Sequence, residues 1–255
     1  MIPPNLIYRM RSQHRPVDRR KQHRPRLSIK DFTARPYLLA AGGMFFAFLG
    51  VYFGFVYIVS FASTELKLST TAATNLPIFI LAANLPGRLL PGLISDRCIG
   101  PLNTVIPGLF LSAGCVALWM SLGDGHSTGG ALTVIACFYG FASAGLQALY
   151  APAVMSLCLK DVADSTPSTT KIREEPGNAM GDPMGLKSGV IYTCIGFACL
   201  IGTPIGGALV KYRTDKHLAQ PYLGAQIFTM LCLLLGGALL LASRVARVGW
   251  RAQRA

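Results

Sequence analysis

Residues 37–61 read YLLAAGGMFFAFLGVYFGFVYIVSF, from Tyr37 to Phe61 without a charge. A helix rises about 1.5 Å per residue, so a run of this length crosses the ~30 Å hydrocarbon core of a bilayer. Working outward, five more apolar stretches follow over residues 72–94, 101–122, 129–158, 189–210 and 222–243, and Arg88 is the one charge inside all six. A soluble fold does not set so many charge-free runs in series. The reading is an all-α, polytopic membrane protein with six transmembrane helices.

Composition agrees with lipid as the solvent. The chain is 52% hydrophobic and 14% charged, against roughly 25% charged in a soluble domain. The formal net charge of +13 is a property of the ends. Residues 1–36 hold ten Lys/Arg against Asp18 and Asp31, and residues 244–255 hold Arg244, Arg247, Arg251 and Arg254 with no acid. The N-terminal stretch, broken by Pro3, Pro4, Pro16 and Pro25, buries too little apolar surface to order itself and reads as a flexible basic tail. No short apolar core follows it at signal-peptide distance, so the first apolar stretch reads as a span that stays. The tail lacks the interleaved aromatics of a nucleic-acid binder; anionic lipid headgroups suit it better, and no nucleic-acid partner is expected.

The charges outside the spans set an orientation. With both ends cytoplasmic, the inner side collects nineteen Lys/Arg and the outer side four (Lys67, Lys211, Arg213 and Lys216). That is the positive-inside pattern, and an odd number of spans would destroy it. The plasma membrane is the expected location. Residues 159–188, with Pro167, Pro176 and Pro183, read as a polar cytoplasmic loop. Its run of Ser165, Thr166, Ser168, Thr169 and Thr170 is either a solvated linker or a phosphorylation target. Pro152 either kinks the fourth span or marks where it leaves the membrane. The seven cysteines form no C-x-x-C pair, and no His cluster has metal-ligand spacing. No metal or cofactor is expected, and without a nucleophile–base pair, neither is an enzyme.

A guanidinium inside a spanning helix costs about 2.5–3.5 kcal/mol on insertion scales, so it persists where it meets water or a partner. Arg88 lies six residues before Ile94, or ~9 Å of helix rise. It either contacts an anionic substrate or snorkels to the interface. Asn84 is one turn earlier on the same face, placed to support it, and Pro86 between them frees a backbone carbonyl. Tyr52, Tyr57, Gln147 and Tyr150 are polar groups at membrane depth that either line a pathway or make interhelical hydrogen bonds. Gly50 and Gly54, and again Gly202 and Gly206, have the spacing that lets helices pack closely.

Gly87-Arg88-Leu89-Leu90-Pro91-Gly92-Leu93-Ile94-Ser95-Asp96-Arg97 resembles the eighth-helix end and following loop of the major facilitator superfamily, in particular of fungal members of the monocarboxylate porter family. Gly202-Thr203-Pro204-Ile205-Gly206-Gly207-Ala208-Leu209 resembles that family's eleventh helix, and Tyr222-Leu223-Gly224-Ala225-Gln226-Ile227-Phe228 the start of its twelfth. The resemblance covers about residues 30–245. It implies helices seven to twelve of a transporter, with the basic tail as the end of a central loop. It also implies partnership with an N-terminal half or a second copy, and alternating access by rocking of two halves around a midplane site. It assigns Gly92 to close helix approach and Asp96 and Arg97 to a cytoplasmic gate, although Gly100 comes one residue later than in the common motif. In animal members an acid for proton coupling sits four residues before the Arg; here that position is Asn84, so symport is open. The expected cargo is a small organic anion. The competing reading is a truncated or regulatory membrane protein that associates with another transporter.

Overall fold

A peptide group in hydrocarbon finds no water to bond, so a charge-free stretch crosses lipid with its hydrogen-bond ladder closed internally, as a helix. The computed structural model describes residues 34–124, 129–165 and 183–248, and no strand occurs among them. The first span is α1 (Arg35–Val51) and α2 (Phe53–Thr64), joined at Tyr52. The second is α3 (Thr70–Ile94), started by the Ser69 hydroxyl, which accepts from the Ala72 N–H at 3.3 Å, and continued by a π-helical turn over Ser95–Ile99. α4 (Pro101–Met120) runs into a 3₁₀ turn over Ser121–Asp124; α5 (Gly129–Ser165), α6 (Pro183–Asp215) and α7 (Leu223–Val248) follow. Six helices, the joined α1–α2 counted as one, are long and apolar enough to cross a membrane.

Helix ends and lipid ends do not coincide. α1 starts inside the stretch read as tail, α5 and α6 both extend into the stretch read as the 159–188 loop, and α7 runs into the basic C-terminal stretch. Hydropathy marks where lipid stops, whereas a helix ladder carries on into water as long as its residues tolerate it. The helix also continues through Pro152. Residues 1–33, most of the polar connection and its Thr166–Thr170 run, and residues 249–255 lie outside the described residues.

The π turn answers a detail of the sequence. The Gly100 N–H donates to the Ser95 carbonyl at 3.0 Å, closing a five-residue step, and Gly100 has φ 82°, which a side chain resists. A π turn holds one residue more than an α turn, which accommodates the late position of Gly100.

The helices pack in a row. α3 lies chiefly on α5, α5 on α4, α4 on α7, α7 on α1, and α1 on α6. Met44, Phe48, Leu109, Leu146, Ile191, Leu233 and Leu240 form the larger core; Phe53, Phe61, Ile80, Trp119, Leu132 and Tyr222 form a second one. The two helices at the ends of the row are the least enclosed: α3 and α6 each have 22% of their most apolar stretch buried, against 44–56% for the other spans. The charge therefore sits on an end helix, where one side is left open.

Candidate functional site

α3 and α5 touch backbone to backbone. A Cβ at Gly87 would come within 2.5 Å of the Phe141 carbonyl oxygen, and one at Gly140 would collide with the Ile80 carbonyl. This approach brings Asn84, which is only 4% exposed, within reach of α5. Its amide donates to the Gly140 carbonyl at 3.2 Å, and its Oδ1 accepts from Arg88 Nε at 2.7 Å. Arg88 Nη2 donates to Gln147 Oε1 at 2.8 Å. Pro86 and Pro91 withdraw two ladder donors on either side of the guanidinium.

The chemistry of the donors orients both amides. A guanidinium only donates, so Asn84 and Gln147 must turn their oxygens to it. The Gln147 Nε2 is then directed elsewhere; it is buried and has no hydrogen-bond partner. All eleven Asp/Glu lie outside the six apolar stretches. Among the described residues the charge on Arg88 is thus held by neutral amides, and what the site offers outward is the remaining guanidinium N–H donors. Such a set accepts an anion and repels a cation.

Tyr52 is half-buried at the α1–α2 junction, and its ring contacts Phe48, which contacts Tyr150 on α5. Tyr57 is bonded elsewhere. Its hydroxyl donates to the Thr203 carbonyl on α6 at 2.9 Å, and a Cβ at Gly207 would lie 2.5 Å from that hydroxyl oxygen. Tyr57 ties α2 to α6.

The small residues divide by neighbour. Gly50 faces Thr229 and Cys232 on α7, whereas Gly54 makes room for the Tyr139 ring on α5. The Tyr139 hydroxyl donates to the Val51 carbonyl at 2.5 Å, just where the first span breaks. Gly202 lies against the Leu49 carbonyl and Gly206 against the Phe53 ring, so this stripe of α6 packs on the first span. Gly92 is different: nothing lies within 4 Å of a Cβ built there. The expected close approach at Gly92 is made a turn earlier, by Gly87. Asp96 and Arg97 are exposed on the π turn rather than in a loop.

The contributions of Gly140 and Tyr139 were missed in the sequence, as was the link between Arg88 and Gln147. A glycine or tyrosine within a charge-free helix carries no mark of which neighbour it meets.

Six apolar helices among the described residues, with one guanidinium at span depth, define a polytopic helical membrane protein. The family profile described as Major Facilitator Superfamily matches residues 6–169, more than half of the chain. The chain belongs to the major facilitator superfamily. It is 29% identical to the "Agnestins efflux protein AgnL12" of Paecilomyces divaricatus over 91% of its own length and 46% of the relative's. It is 31% identical to the "MFS-type transporter pynF" of Aspergillus niger, over 72% of this chain and 37% of that one. It is 25% identical to the "Riboflavin transporter MCH5" of Saccharomyces cerevisiae, over 87% and 37%. The chain thus spans less than half the length of these curated relatives. Family and relatives mark the transporter class and not an enzyme.

Proposed function

We propose that this chain forms one six-helix half of a transporter of monocarboxylate-porter type, which moves a small organic anion across a membrane by alternating access. One observation carries the reading. A guanidinium at span depth has no carboxylate partner among the described residues, is held by Asn84 and Gln147, and keeps further N–H donors exposed. A charge so costly in lipid is supported where a cavity or a ligand meets it. In this reading Arg88 binds the anion, Asn84 and Gln147 orient the guanidinium, and Asp96 and Arg97 act at the cytoplasmic end of α3. The basic ends face the cytoplasm, the plasma membrane is the site of action, and a complementary six-helix half faces the open side of α3.

The test is flux of labelled organic carboxylates into cells expressing the chain, with surface amounts matched. The expected result is saturable flux that Arg88→Ala abolishes while membrane insertion is unchanged. Unchanged flux in that variant removes Arg88 from the site. No flux above control cells assigns the chain to the non-transporting reading.

A further inference from the structure

Tyrosine hydroxyls used for packing in this bundle all have partners. Tyr37 donates to the Lys187 carbonyl at 2.8 Å, Tyr192 to the Ala151 carbonyl at 3.4 Å, and Tyr222 accepts from Thr64 at 3.3 Å. Tyr57 and Tyr139 are bonded as described above. Tyr52 and Tyr150 are half-buried, yet their hydroxyls have no partner among the described residues. Arg88 donates to Gln147 on α5 at 2.8 Å. Tyr150 is three residues after Gln147, on the same face of α5.

The rings form a continuous wall. Centroids lie 6.2 Å apart for Tyr52 and Phe55, 6.4 Å for Tyr52 and Phe48, 5.4 Å for Phe48 and Tyr150, and 6.0 Å for Tyr150 and Tyr192. The wall therefore runs from α2 through α1 and α5 to α6, and its Tyr150 lies about one turn from the Gln147 that Arg88 bonds. A π-face attracts another ring in offset or edge-on contact, and it does so beyond what apolar area alone provides.

We infer that the site takes an aromatic carboxylate. Its carboxylate meets the remaining Arg88 guanidinium donors, its ring lies against Tyr52 and Tyr150, and a polar substituent on the ring meets their hydroxyls. This rests on the anion reading above and narrows it. A small aliphatic acid satisfies the donors but leaves the rings and both hydroxyls without a ligand contact.

The experiment is equilibrium binding of labelled benzoate and labelled cyclohexanecarboxylate to membranes containing the full chain. The two acids share charge and approximate size, and only one has a π-system. Benzoate is expected to bind on the order of ten-fold tighter. Tyr52→Leu and Tyr150→Leu should each narrow that ratio. Tyr52→Phe and Tyr150→Phe should keep it, and at least one should remove the added affinity of 4-hydroxybenzoate. Equal binding of the two acids by the unaltered protein overturns the aromatic preference and leaves the anion reading standing. A benzoate preference that survives both leucine substitutions intact also overturns it. Binding of neither acid removes both readings, and no variant need fold for the comparison of acids to be decisive.

Discussion

Tyr52 and Tyr57 sit little more than a turn apart on the first span, and they show two fates for a polar group at membrane depth. Tyr57 is finished: its hydroxyl donates to Thr203, its ring stacks with Phe53 at 4.9 Å, and glycines on α6 clear the space around it. Tyr52 is unfinished. Its hydroxyl meets no described residue. The same contrast divides the bundle. The α1–α6 seam is closed by backbone approach, whereas the α3–α5 face ends in an exposed guanidinium with N–H groups to spare. A buried polar group without a partner is costly, and the Tyr57 hydroxyl shows such a group satisfied. In the reading proposed above, the spare donors of Arg88 are where a ligand belongs.

Substitutions on the two sides should separate stability from binding. The largest effect is expected at Gly202→Val, because the new side chain lands on the Leu49 carbonyl. Overpacking of this kind costs about 3 kcal/mol, and thermal unfolding in detergent should show the loss, with binding lost only as the fold is lost. Asn84→Leu is expected to weaken anion binding on the order of ten-fold and to cost about 1–2 kcal/mol of stability, since it removes the Arg88 support and leaves the Gly140 carbonyl unpaired. Tyr57→Phe should cost about 0.6 kcal/mol, the typical value of an interhelical hydrogen bond in a membrane, and leave binding isotherms unchanged. Tyr52→Phe is the smallest: stability should hold within about 0.5 kcal/mol, because its hydroxyl bonds nothing in the protein. Loss of binding in Tyr57→Phe, or loss of stability in Tyr52→Phe, breaks the contrast.

Much of this architecture was legible in the sequence. Charge-free length named the six spans, and a lone guanidinium four residues after an asparagine named a pair that the structure joins by a hydrogen bond. The limits were physical. The distinction between Tyr52 and Tyr57 depends on which helix each one meets, and both read alike as aromatic residues in apolar runs. The tie from Arg88 to Gln147 crosses 59 residues and exists only because Gly87 and Gly140 let α3 and α5 touch. Gly92 shows the reverse case: a motif position suggested close approach, and the structure places it in open space. The helix extensions past residues 158 and before 189 were hidden because hydropathy reports solvent and not backbone hydrogen bonding.

The central claim is that Arg88 serves a ligand and not the fold. It is tested most directly by measuring anion binding and thermal unfolding on the same lipid-reconstituted preparation of Arg88→Gln. The account predicts that affinity for a carboxylate falls by about 3 kcal/mol, on the order of 100-fold, while the unfolding temperature is unchanged or slightly raised. Unchanged affinity with a lowered unfolding temperature would contradict it.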